Sequence, residues 1–146
     1  MITLLENIKT ELDTARGTTL SYMTAQSIQK VAPGTIPPLR KDQFPFCGIA
    51  PVSSPERWSS SAKREVTHTV ELYCARIYNI QEDALDKCLE HVQNILSVVR
   101  NNKFTDYLSA PAQPSVTGYV TEPYGDNIYI VIATVQLECR KLFLSA

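Results

Sequence analysis

The residues able to do chemistry are few in this chain, and their spacing keeps them apart. Its two histidines are His68 and His91, and histidine is the side chain whose ordinary pKa lies nearest neutrality. His68 stands between Thr67 and Thr69, with no serine or aspartate placed nearby in sequence to form a catalytic arrangement. His91 directly follows Glu90, and adjacent residues of a helix point in different directions, so the two make a poor acid-base pair. Cys47, Cys74, Cys88 and Cys139 are scattered singly through apolar segments, without a C-x-x-C pair or a histidine at zinc spacing. Their types and surroundings suit buried thiols acting as small hydrophobes, and no disulfide is required. Glu82, Asp83 and Asp86 cluster where a helical pattern begins, which is where carboxylates complement the exposed amide ends. There is no glycine-rich phosphate loop, no H-E-x-x-H and no G-x-S-x-G. The expectation is a protein that is not an enzyme, with no cofactor and no metal.

Composition narrows the classes further. With 146 residues, 44% of them hydrophobic and 20% charged, and a formal net charge of -1, the chain has the material for one domain with a real core. Nucleic-acid binding normally shows as a basic excess, which is missing here. No apolar run approaches the roughly 20 residues that cross a bilayer, and the first residues lack the basic start and apolar core of a signal peptide. Assembly in a cytoplasm, without a membrane, is the expectation.

The elements that would position these residues are organised around 65–100. Residues 65–79 are rich in Val, Tyr, Ile and Thr and predict a long strand. Val66, Val70, Leu72 and Cys74 lie on one face and Thr67, Thr69, Glu71 and Tyr73 on the other; Ala75 and Ile77 then turn the second set apolar, which predicts a twist, a bulge or contact with a neighbouring subunit. Residues 82–100 predict an amphipathic helix with the stripe Leu85, Cys88, Leu89, Val92, Ile95, Leu96 and Val99. A second helix is predicted over 3–16, with Leu5, Ile8, Leu12 and Ala15 on one face, Thr3 and Glu6 at capping-box spacing, and Gly17 to end it.

Prolines 33, 37 and 38 break up 18–45, and 44–52 predicts an irregular first strand at an edge. The serine-rich stretch 53–64 predicts a long hairpin loop, locally basic through Arg57, Lys63 and Arg64, with Trp58 as a candidate interface anchor. Residues 115–124 and 128–141 predict two strands joined by the tight turn 125–127. The expected architecture is one α+β domain over 1–146: two layers, a four-stranded, mainly antiparallel sheet and two principal helices on one face. The other sheet face, with Tyr73, Tyr78, Tyr119, Tyr124 and Tyr129, would suit contact with other subunits.

This order of elements resembles the tail terminator, or tail completion, proteins of long-tailed bacteriophages. The likeness rests on the helix near 4–16, the proline-containing stretch 32–42, the strand and polar excursion over 45–64, the long strand 66–78, the helix carrying DALDKCLEHVQNIL from residue 83, and the closing hairpin ending in VQLECRK from residue 135. It implies a hexameric ring that caps the tail tube, ends its polymerisation and joins it to the head connector. Partners would be further copies of the chain, the tail tube protein and a head-completion or connector protein. Genome DNA would pass through the ring without specific binding, and the protein would sit in the virion neck after assembly in the bacterial cytoplasm. The resemblance implies partner contacts at Arg57, Trp58, Lys63 and Arg64, and ring-lining or ring-joining surfaces around Glu71, Tyr73, Tyr129 and Val131. The alternatives are another neck or tail-tube protein of the same junction, and a small non-viral α+β ligand-binding or adaptor domain.

Overall fold

A computed structural model describes residues 1–34, 40–54, 56–60, 63–100, 102, 104, 112–125 and 127–144, the side chains of 56–60, 112–113 and 143–144 excepted. In chain order the elements are α1 (Ile2–Ala15), β1 (Ile28–Lys30), a 3-10 turn (Lys41–Gln43), β2 (Phe46–Ser53), β3 (Glu56–Ser60), β4 (Lys63–Tyr78), α2 (Gln81–Val99), β5 (Ala112–Gly125) and β6 (Ile128–Leu144). The strands form one sheet in the order β1-β2-β4-β6-β5, with β3 also paired to β4. All pairings are antiparallel except the short parallel contact of β1 with β2.

The α+β class, the two helices and the largely antiparallel sheet agree with expectation. The sheet has six strands rather than four. β1 arises where 28–30 comes back beside β2 after α1, too short a stretch to show an alternating pattern. β3 occupies most of the span expected as a loop: Arg57 pairs with Glu65 and Trp58 with Arg64, so the hairpin continues as paired backbone to the turn between β3 and β4. A stretch of serines with one tryptophan and one arginine reads as a polar loop because its sequence shows no apolar alternation.

Sequence alternation sorts the sheet into two faces. Val70, Leu72 and Cys74 from β4, Cys47 and Ile49 from β2, and Val131, Ala133, Val135, Leu137 and Cys139 from β6 pack beneath the helices. From α1 come Leu4, Leu5, Ile8 and Leu12. The helix begins with Met1 as its cap residue and has no side-chain cap, so the Thr3–Glu6 capping box is not formed. Glu6 instead pairs with Lys30 at the sheet margin.

α2 buries Ala84, Cys88, His91, Val92, Ile95, Leu96 and Val99. The helix is rotated slightly from the expected stripe, leaving Leu85 and Leu89 each 39% exposed while Ala84 and His91 face the core. Ala84 lets the helix approach the sheet closely, and His91 is admitted because its polar atoms find partners there.

The apolar switch at Ala75 and Ile77 has a local cause. β4 pairs with β6 in unbroken register from Lys63 to Tyr78, so there is no bulge between them. Ala75 joins Phe46 and Ile130 in a second small cluster on the sheet face opposite the helices, against which Val31, Phe44, Ile77 and Ile132 pack. Val31 and Phe44 thus cover that end of the face. Gly48 lies under Val31: a Cβ there would stand 2.9 Å from its side chain and 3.0 Å from the Phe46 ring.

Candidate subunit interface

Polar side chains are drawn together at three places. The deepest is on the helix side. His91 is fully buried, with Nε2 3.0 Å from the Phe46 carbonyl and Nδ1 2.7 Å from the Tyr22 hydroxyl. The carbonyl can only accept, so Nε2 carries the proton; a neutral ring then accepts at Nδ1, and the Tyr22 hydroxyl donates to it. The amide of Asn94 donates in turn to the Tyr22 oxygen at 3.4 Å. Burial pushes the His91 pKa down to about 4 and that of Tyr22 up to about 12. The Arg76 guanidinium lies 5.2 Å from the centre of the Tyr22 ring. This chain of donors and acceptors ties the turn after α1 to α2 and to the start of β2.

The second place is Ser54 and His68, distant in sequence and 2.7 Å apart between Oγ and Nδ1. Serine and histidine at this distance could form a nucleophile and base. Burial, then the amino-terminal ammonium and Lys141, hold the ring's pKa below the ordinary value. Among the described residues, no group of three or more His, Cys, Asp or Glu side chains could hold a metal ion.

The third is a groove of about 450 Å³ on the face opposite the helices, lined by Gly34, Glu71, Tyr73, Val120, Glu122, Ile132 and Thr134. Gly34, at φ +76°, donates its amide to the Tyr73 hydroxyl at 2.6 Å and so pins the crossing segment over the groove's end.

The expected interface residues do not form one surface. Glu71 and Tyr73 are on the groove face, and Tyr73 is only 5% exposed because the chain's own Gly34 segment covers it. Val131 is completely buried under the helices. It cannot line a ring, because the strand's alternation turns it inward. Tyr129, two residues before Val131 on β6, packs against the same core and pairs with Tyr78 at the end of β4. Lys63 is exposed and Arg64 half-buried at the hairpin end. The side chains of Arg57 and Trp58 lie outside the described residues.

The larger exposed surface is β5. It pairs along one side with β6, and residues 117–125 are exposed throughout. Tyr119, Val120 and Tyr124 are 44%, 51% and 36% exposed. Pro114 and Pro123 bracket 115–122, and proline inside a strand marks an edge. That cue, with the loss of clean alternation in SVTGYVTEPY from residue 115, is the sequence signal for this surface. Phe44 touches Tyr124 edge-on at 5.5 Å between ring centres, bringing the crossing segment to the end of the strand.

No family model matches the chain, and no curated protein matches it in sequence. Among solved structures it is similar to a chain of a native gene transfer agent (GTA) particle virion, with 5% identity over 88% of this chain and 94% of that one and a TM-score of 0.42. A likeness that loose carries no argument about what this chain does. No described helix is long and apolar enough to cross a membrane.

Proposed function

We propose that the chain is a non-enzymatic structural subunit of a phage-type tail. Identical copies close into a ring, expected to be hexameric, that caps the tail tube, ends its polymerisation and joins it to the head connector. The observation that carries this reading is the β5 edge: fourteen residues of strand that, among the described residues, are paired on one side only and whose 117–125 are exposed throughout. Such an edge is a template for another chain, and closing a ring removes it.

Strand directions support a head-to-tail contact. β5 runs antiparallel to β6, β6 to β4, and β4 to β3. β5 is therefore antiparallel to β3, and β5 of one copy laid beside β3 of the next would continue the sheet in the same alternation. A contact between two different surfaces closes into a ring when its rotation divides a full turn. The hairpin ends, with Arg57, Trp58, Lys63 and Arg64, would then project as a crown toward the tube or connector.

Native mass spectrometry tests this directly. The wild-type chain is expected as a closed ring of copies, and Tyr119→Lys combined with Thr121→Lys as a monomer with unchanged circular dichroism, since lysines on an edge strand oppose pairing. A monomeric wild type whose β5 amides exchange as fast as the double variant's would overturn the reading. The groove beside Glu71 and Glu122 favours one competitor, a small ligand-binding domain; saturable binding of a small molecule there by a monomer would favour it instead.

A further inference from the structure

Cys47 and Cys74 belong to segments separated by the whole β3–β4 hairpin, yet they are directly opposed in the register of β2 with β4. Antiparallel partners alternate between pairs that exchange backbone hydrogen bonds and pairs that do not, and the second kind hold their Cα atoms only about 4.5 Å apart. The Cys47 amide donates outward to the Ser27 carbonyl at 2.8 Å, and the Ile49 carbonyl accepts from the Val31 amide at 2.9 Å. Residues 47 and 49 thus turn their backbone groups toward β1 and away from β4. Cys47 and Cys74 form a pair of the second kind, inside the roughly 4.4–6.8 Å window of Cα separations that disulfides span.

Both side chains are fully buried on the helix side of the sheet. The neighbouring Cys47 thiol, and then burial, raise the Cys74 pKa well above its ordinary value. Cys88 is close by, but its sulfur is directed at the Cys74 backbone carbonyl, 3.6 Å away. Cys139 stands on β6 opposite His68. Register selects one partner among four free thiols.

We infer that Cys47 and Cys74 are the site of a latent cross-strand disulfide joining β2 to β4, formed by exchange with a low-molecular-weight disulfide such as oxidised glutathione. One cysteine thiolate attacks a glutathione sulfur, releasing one glutathione thiol and leaving a mixed disulfide. The second cysteine then attacks the protein sulfur of that adduct and releases the other glutathione thiol. The protein loses two hydrogens, and the small disulfide is reduced to two thiols. Access comes through local opening of the sheet margin, where only the three-residue β1 covers β2. Burial therefore sets the rate while register sets the product. The inference is independent of the ring.

The test incubates the folded full chain in mixtures of reduced and oxidised glutathione a few degrees below its melting temperature, then denatures, alkylates and maps it. The expected result is two blocked thiols, a mass lower by two hydrogens, one peptide linking residues 47 and 74, and a melting temperature raised by several degrees, all reversed by dithiothreitol. Cys47→Ser and Cys74→Ser should each abolish the link, and Cys88→Ser should leave it intact. Four alkylatable thiols, a glutathione adduct that persists, or a link through Cys88 or Cys139 would each overturn it.

Discussion

At the scale of single residues, His91 couples stability to pH. Its pKa is about 4 in the folded chain against 6.5 for the free side chain, so below 6.5 the unfolded chain binds the extra proton and the folded chain does not. Stability from this group is complete above pH 6.5, falls as the pH drops from about 6.5 to about 4, and levels off below. The shift corresponds to something on the order of 3 kcal/mol. Urea midpoints of wild type and His91→Gln between pH 7 and 4 should show this extra slope in the wild type only; parallel curves would rule it out. Tyr22→Phe leaves His91 Nδ1 without its donor and is expected to cost about 1–3 kcal/mol at pH 7. Sequence spacing placed His91 on a helix, beside Glu90, but its partners Tyr22 and Phe46 lie far away along the chain. Nothing local to residue 91 could have named them.

At the scale of elements, α2 was legible in outline because a 3.6-residue period survives any small rotation of the helix. The rotation itself depends on what lies underneath. Leu85 and Leu89 belong to the periodic pattern yet remain 39% exposed, whereas Ile95 is fully enclosed. Ile95→Ala should therefore cost about 2–5 kcal/mol, while Leu85→Ala and Leu89→Ala should each cost well under half of that, measured by denaturant unfolding. Equal losses at all three would contradict the helix orientation. In the sheet, Gly48→Val would drive a side chain into Val31 and the Phe46 ring, with an expected cost of about 1–3 kcal/mol. The short β1 and the β3 extension escaped sequence reading for one reason: neither has enough alternating apolar residues to announce a strand, and each forms because a longer partner offers free backbone groups.

At the scale of the whole molecule, the helices cover one face of the sheet, and Val31, Gly34 and Phe44 cover one end of the other. What stays open is the β5 side. If copies join there, the lysine double variant at 119 and 121 loses assembly without losing its fold. Lys63→Ala combined with Arg64→Ala, which keeps β3, tests the outer contacts separately: it should form rings that fail to join tube to head. Joining that proceeds normally would remove the hairpin from the partner surface.

The sequence by itself determined the α+β class, both helices, the long central strand, the closing hairpin and the buried character of the thiols, because these follow from local period, turn chemistry and side-chain type. Tertiary structure decided which copies of that pattern face inward. It turned Val131 into the core, covered Tyr73 with Gly34, opposed Cys47 to Cys74 and left β5 with an open edge. Each of these depends on which strands lie side by side and in what register, and register is set by contacts between residues far apart in the chain.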